Sequence, residues 1–240
     1  LNQIYMMCHP EVLLCIYKTV EDVLSYIKNK HISSLVIGPG LEVSKSNKEF
    51  IKTILFSSQL PVILDASGIT CFNNDINILS KNINSKLILT PHLGEFARLL
   101  NININEIKHL TQKRDILNSL VKHTNITFVL KGYNTIVANK NNFYVNNTGT
   151  PAMATAGSGD VLSGIIATFI SIRDIDIFEA IRFAVFVHGL AGEYTEYKHG
   201  PVGIMASDIA NNVRFIIKQL MYNKKLVYRI HINIKKQYFL

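Results

Sequence analysis

Four short apolar runs, each closed by a turn of glycine, proline or small polar residues, limit what this chain can become more than any other feature. Ser34 to Ile37, Pro61 to Leu64, Lys86 to Leu89 and Thr127 to Leu130 are strand-length and rich in Val, Ile and Leu. Between them lie stretches with helical spacing, such as Phe50, Ile51, Ile54 and Leu55. Such alternation predicts βαβ units around a mainly parallel central sheet. The closing turns are Gly38-Pro39-Gly40, Asp65-Ala66-Ser67-Gly68, Thr90-Pro91-His92 and Lys131-Gly132. Ligands of open parallel sheets sit outside the carboxyl ends of the strands, so these turns mark the expected site. Downstream, Asn134 to Ala138 and Asn142 to Val145 read as a hairpin, followed by helical segments over Gly157 to Ser171, Phe178 to Lys198 and Ser207 to Leu220.

A chain of 240 residues that is 48% hydrophobic can bury one sizeable core, and we expect one domain over residues 1–220. The net charge of +8 belongs to the end of the chain. Residues 1–213 carry 18 basic and 17 acidic side chains, whereas residues 214–240 carry seven basic and none acidic. Residues 221–240 therefore read as a basic tail, with Lys224, Lys225, Arg229, Lys235 and Lys236 among Tyr228, Ile230, Ile232 and Ile234. A solvated extension or an added edge strand is the plain reading, and contact with RNA or an acidic lipid surface the sharper one. The nearly neutral body argues against nucleic acid as the main partner. Cys8, Cys15 and Cys71 fit neither a disulfide framework nor a zinc pattern, which suggests free thiols in the cytoplasm. No apolar run is long enough to span a bilayer, and no export signal is recognisable at the start.

The segment most suggestive of chemistry is Asn146-Asn147-Thr148-Gly149-Thr150-Pro151-Ala152-Met153-Ala154-Thr155-Ala156-Gly157-Ser158-Gly159-Asp160, directly before an apolar helix. Gly157 and Gly159 permit a tight turn and close approach to a ligand, and the helix start adds unpaired N–H donors and a positive dipole end. That combination suits a phosphate-sized anion. Asp160 stands where its carboxylate could take a proton from an attacking hydroxyl while those N–H groups hold a transferred phosphoryl group. The competing reading is simple capping, because Ser158 and Asp160 both favour helix starts. His188 lies in an apolar helix and reads as a packed core histidine.

The extended wording resembles a known family. Leu35-Val36-Ile37-Gly38-Pro39-Gly40-Leu41, Leu89-Thr90-Pro91-His92-Leu93-Gly94-Glu95-Phe96, Val129-Leu130-Lys131-Gly132-Tyr133-Asn134-Thr135 and Thr148-Gly149 through Asp160 stand in the order and approximate spacing of the ADP/ATP-dependent NAD(P)H-hydrate dehydratases. Val187-His188-Gly189-Leu190-Ala191-Gly192 and Ala206-Ser207-Asp208 extend the resemblance over roughly residues 32–220. It implies a three-layer α/β/α ribokinase-like domain. It also implies ADP- or ATP-dependent dehydration of the S epimer of hydrated NADH or NADPH, through phosphorylation of the ring hydroxyl and loss of phosphate. Magnesium would travel on the nucleotide phosphates, without a protein cage of its own.

Residue by residue, Asp160 matches the catalytic Asp, also expected to contact the substrate hydroxyl, and Gly157, Ser158 and Gly159 match the anion hole. Lys131, Gly132, Tyr133, Asn134 and Thr135 match the segment lining the adenine nucleotide, where Lys131 would meet a phosphate oxygen. Gly40 and His92 match positions beside the hydrated dinucleotide. For Gly40 the alternative is a tight turn alone. For His92 it is a bystander's place, with Thr90 as helix cap and Pro91 as first helical residue.

Departures are visible as well. Asp65-Ala66-Ser67-Gly68-Ile69-Thr70 replaces an Asp-Ala-Asp-Gly/Ala-Leu-Asn pattern, and nothing before Leu35 matches the strand and Gly-Ser-rich loop that usually precede it. We therefore expect an N-terminally incomplete domain that binds adenine nucleotide but repairs weakly alone, from a parent that can carry a fused epimerase domain. A homo-oligomer stays open. The alternatives are a ribokinase-like kinase of a vitamin-precursor alcohol and a degenerate, noncatalytic nucleotide-binding module.

Overall fold

The computed structural model describes residues 11–80, 83, 85–223, 225 and 231. Cys8 and most of the basic tail, with Lys224, Arg229, Lys235 and Lys236, lie outside the described residues, as do the readings given to that tail. The chain divides into two compact units, Leu1–Ile32 and Ser33–Leu240. In the first, helix α1 (Val20–Asn29) starts at a capping box: Thr19 Oγ1 accepts from the Asp22 N–H, and the Asp22 carboxylate accepts from the Thr19 N–H.

The second unit is organised by a six-stranded sheet. Strands β1 (Leu35–Ile37), β2 (Pro61–Leu64), β3 (Lys86–Leu89) and β4 (Thr127–Leu130) run parallel in chain order. Strands β5 (Ile136–Ala138) and β6 (Phe143–Val145) extend it as an antiparallel hairpin. Helix α2 (Lys45–Ser57) joins β1 to β2, and the short helices α3 (Ser67–Thr70) and α4 (Ile76–Leu79) join β2 to β3. Helix α5 (Leu93–Leu100), a 3₁₀ turn (Ile104–Ile107) and α6 (Leu110–Lys122) lead to β4. After the hairpin come α7 (Ser158–Ile170), α8 (Ile177–His199) and α9 (Ala206–Tyr222). The mainly parallel sheet read from the sequence is thus present. Strand β5 starts later than expected because Asn134 takes a left-handed φ of 56° and the Thr135 hydroxyl turns back to the Gly132 carbonyl.

Strand alternation sorts the core into two sides. Val62, Leu64, Leu87, Leu89, Phe128 and Leu130 join Ile51 and Leu55 of α2, Phe96 of α5 and Leu117 of α6. Ile63, Ile88, Val129 and Val137 point the other way, against Leu162 and Ile166 of α7 and Ile181 and Val185 of α8. Burial on both faces is why the strands read as uninterrupted apolar runs rather than alternating ones. Each fully buried Leu, Ile or Phe contributes about 1.5–3 kcal/mol relative to exposure, enough to set which face each strand residue takes. Helix α9 packs on α8 through Val187, Leu190, Ile209 and Ile216. The result is helix, sheet and helix in three layers.

Candidate functional site

Because β1 to β4 are parallel, all four deliver their closing turns to one edge of the sheet. The turns are then locked to one another. Asp65 N donates to the Ile37 carbonyl at 3.1 Å, and a Cβ on Gly38 would stand 1.8 Å from the Asp65 carbonyl, so only glycine fits there. Gly40 completes that first turn at φ 73°. On the next pair, Lys131 N donates to the Pro91 carbonyl at 2.8 Å, adding a parallel bridge between His92 and Lys131 beyond β3 and β4.

Asp65 is the side chain at the centre of this edge. It is 1% exposed, yet both oxygens are engaged: Oδ1 accepts from Lys131 Nζ at 2.6 Å and from Ala66 N at 2.9 Å, and Oδ2 accepts from Ser163 Oγ at 2.7 Å. A buried carboxylate is tolerated because charge and hydrogen bonds are supplied together. In the sequence Asp65 stands only as the first residue of a turn. Its signal was there to find, as a carboxylate at the end of an otherwise wholly apolar strand.

Helix α7 arrives at the same place. Its N-cap is Gly157, at φ 82°, with no side-chain cap. Ser158, Gly159 and Asp160 form its first turn, and the Ser158 N–H makes a long 3.3 Å bond to the Thr155 carbonyl. The N–H groups of Gly159 and Asp160 have no partner among the described residues. Two adjacent unpaired donors at a helix start, after a left-handed glycine, form an anion-sized receptor. A Cβ on Gly159 would lie 3.1 Å from Lys131 Nζ and 3.9 Å from Asp65 Oδ2, so this turn sits directly over the ion pair. Asp160 is exposed and its carboxylate makes no hydrogen bond among the described residues. Neither Ser158 nor Asp160 is the cap that the competing reading required.

His92 corrects another capping expectation. His92 itself is the N-cap of α5: its Nδ1 accepts from the N–H groups of Gly94 and Glu95 at 3.0 and 3.3 Å, and Glu95 Oε2 accepts from the His92 N–H at 2.9 Å. Thr90 instead sends its hydroxyl to the Leu64 carbonyl. With Nδ1 accepting, a neutral His92 carries its proton on Nε2, and its side chain is 54% exposed. Its Nε2 lies 3.5 Å from Glu95 Oε1, so both ring nitrogens face the first turn of α5. Gly132 to Thr135 form a tight turn, and Tyr133 is exposed on it.

Helix α8 supports the site from behind. Glu193 accepts from Gly149 N at 2.9 Å, Thr148 Oγ1 donates to the Phe186 carbonyl at 2.9 Å, and the Thr150 hydroxyl bonds Glu196. Gly189 and Gly192 leave room for Thr148 and Met153, whose atoms a Cβ at either position would meet at 2.1 Å. These contacts set the course of the chain into Gly157. His188, on the same helix, is buried as expected, and its Nε2 makes no hydrogen bond among the described residues. Burial pushes its pKa down to about 4, against an upward pull from the Ser158 backbone and with a further downward push from Lys131. It is a neutral imidazole at the back of the α7 turn.

Among the described residues, no helix is long and apolar enough to cross a membrane, and no three His, Cys, Asp or Glu side chains group as metal ligands. Residues 3–214 match the family model Carb_kinase, described as NAD(P)H-hydrate dehydratase. The chain is 32% identical over 190 residues to the bifunctional NAD(P)H-hydrate repair enzyme Nnr of Moorella thermoacetica, covering 79% of this chain and 35% of that protein. It thus spans roughly a third of the length of the first curated relatives it matches. The ADP/ATP-dependent NAD(P)H-hydrate dehydratase of Bacillus subtilis, co-crystallised with ATP and Mg2+, superposes with a TM-score of 0.68 at 27% identity, over 78% of this chain and 66% of that one. A ribokinase-like superfamily protein of Enterococcus faecalis gives 0.67 at 29% identity, over 82% and 67%. A family-model match over residues 3–214, which spans β1 through α8, makes this chain a member of the NAD(P)H-hydrate dehydratase family.

Proposed function

We propose that the chain dehydrates the S epimer of hydrated NADH or NADPH at the expense of ADP or ATP, and so repairs the nicotinamide nucleotide. The observation that carries this reading is the meeting of α7's unpaired N–H groups, the free Asp160 carboxylate and the Lys131–Asp65 pair at the carboxyl ends of parallel strands.

In this reading the phosphoryl group to be transferred lies against the Gly159 and Asp160 N–H groups, which need no reorganisation to accept negative charge. Asp160 takes the proton of the ring hydroxyl as its oxygen attacks phosphorus, and the nucleotide leaves one phosphate shorter. The carbon–oxygen bond then breaks, a proton leaves the neighbouring ring carbon, inorganic phosphate departs and the ring double bond returns. Lys131 to Thr135 would hold the adenine nucleotide, and Gly40 and His92, the latter through Nε2–H, the dinucleotide. A magnesium ion brought by the nucleotide would be held mainly by phosphate oxygens and water. The free thiols of Cys15 and Cys71 fit a cytoplasmic setting, and a fused or separate epimerase is the partner this substrate calls for.

The test is to incubate the chain with hydrated NADH or NADPH, Mg2+ and either nucleotide. Weak recovery of the reduced-nicotinamide absorbance, with equimolar phosphate release, is expected of the chain alone. A stable phosphorylated alcohol instead would show a ribokinase-like small-molecule kinase, and nucleotide binding without either product a noncatalytic module.

A further inference from the structure

Asp65 is assigned no step of proton or phosphoryl transfer, yet three separate elements end on it. It closes β2, it holds the lysine at the end of β4, and it holds a serine in the second turn of α7. The Lys131 side chain is only 18% exposed, so its ammonium has few orientations left once that bond is made. A lysine side chain at a bare strand end would otherwise sample many rotamers in solvent. The site also brings the helix start into register with the ammonium, because Ser163 lies four residues beyond Gly159 on α7 and binds the second oxygen of the same carboxylate.

We infer that Asp65 is a positioning residue for the phosphate end of the nucleotide: its buried carboxylate fixes the Lys131 ammonium and the start of α7 at one separation, so that ammonium and N–H groups meet the same phosphoryl group. The inference rests on the proposed placement of the transferred phosphoryl group at the α7 turn. Since Asp65 neutralises Lys131, the attraction for the anion comes mainly from the α7 N–H groups, and Lys131 serves as a fixed donor more than as a free charge.

Asp65→Asn, Lys131→Met and the double variant separate this role from general support. Calorimetry with ADP and with adenosine is the readout. Each single variant is expected to weaken ADP binding by about tenfold, or 1.4 kcal/mol, while adenosine affinity stays within about threefold. The double variant should be no weaker than either single one, because both remove the same arrangement. In the unsubstituted chain, a Lys131 ammonium proton–nitrogen signal protected by the Asp65 bond should be visible by NMR and shift on adding ADP but not adenosine. Ser163→Ala keeps the ion pair and should weaken ADP binding in the same direction but less, which keeps the question answerable if Asp65→Asn fails to fold. Unchanged ADP affinity, an equal loss for ADP and adenosine, additive losses in the double variant, or an ADP-insensitive Lys131 signal would each overturn the inference. None of these readouts needs turnover. A chain that binds ADP in an Asp65-dependent way yet restores no reduced nicotinamide would refute the dehydratase reading and leave this one standing.

Discussion

Gly159 leaves the space that the Lys131 ammonium occupies: a methyl group added to the glycine would stand 3.1 Å from the lysine Nζ. The lysine end cannot simply swing aside, since Asp65 holds it at 2.6 Å. Gly159→Ala should therefore displace the ammonium by a few tenths of an ångström and weaken ADP or ATP binding by roughly three- to tenfold, with a stability change under about 1 kcal/mol. Paired calorimetry and thermal melts check it, and unchanged nucleotide affinity would remove Lys131 from the phosphate site.

Asp160 is solvent-exposed, and no neighbour in the described structure competes for its carboxylate. Asp160→Asn preserves shape and removes the proton acceptor. Turnover should fall by about 10² to 10⁴ with nucleotide affinity nearly constant, measured by initial rates beside ADP titrations.

Gly157 holds a left-handed φ of 82°, and a Cβ there would lie 3.2 Å from the Cβ of Ala206. Gly157→Val combines a conformation that β-branched residues resist with a crowded contact to α9. We expect a loss of about 1–3 kcal/mol in stability and an impaired anion hole, seen as weaker ADP binding. A stable variant with normal affinity would move the phosphate elsewhere.

His188 adds a pH dependence with a definite sign. Its pKa is near the ordinary 6.5 in the unfolded chain and is pushed to about 4 in the fold, so both states are neutral above that range and it contributes nothing there. As pH falls from 6.5 toward 4, the unfolded chain takes up a proton that the folded one refuses, and stability is lost progressively, by roughly 3 kcal/mol in all. Urea unfolding of the unsubstituted chain and of His188→Gln at several pH values isolates this part as a difference. Parallel curves for the two proteins would show that His188 is not held neutral.

Much of the fold was legible because burial writes itself into composition. Strands β2, β3 and β4 have the bounds read from the sequence, since residues buried on both sides leave uninterrupted apolar runs between polar turns. The start of α7 was legible from Gly157-Ser158-Gly159-Asp160, because unpaired helix donors and left-handed backbone impose their own residue types. The cap of α5 was not. Thr90-Pro91 carries a capping signature of its own, but the Thr90 hydroxyl is claimed by the Leu64 carbonyl of the neighbouring strand, and the cap passes to His92.

The sequence by itself determined which segments become strands, where their turns fall and which helix start suits an anion, all consequences of local conformation and of burial repeated along the chain. Only the tertiary structure decided that Asp65 meets Lys131, 66 positions away, and Ser163, 98 positions away. Those pairings depend on the register of β2 on β3 and β3 on β4, and on α7 crossing the opposite face. Side-chain partners at hydrogen-bond distance are chosen by the three-dimensional meeting of strand ends, a relation that no local pattern encodes.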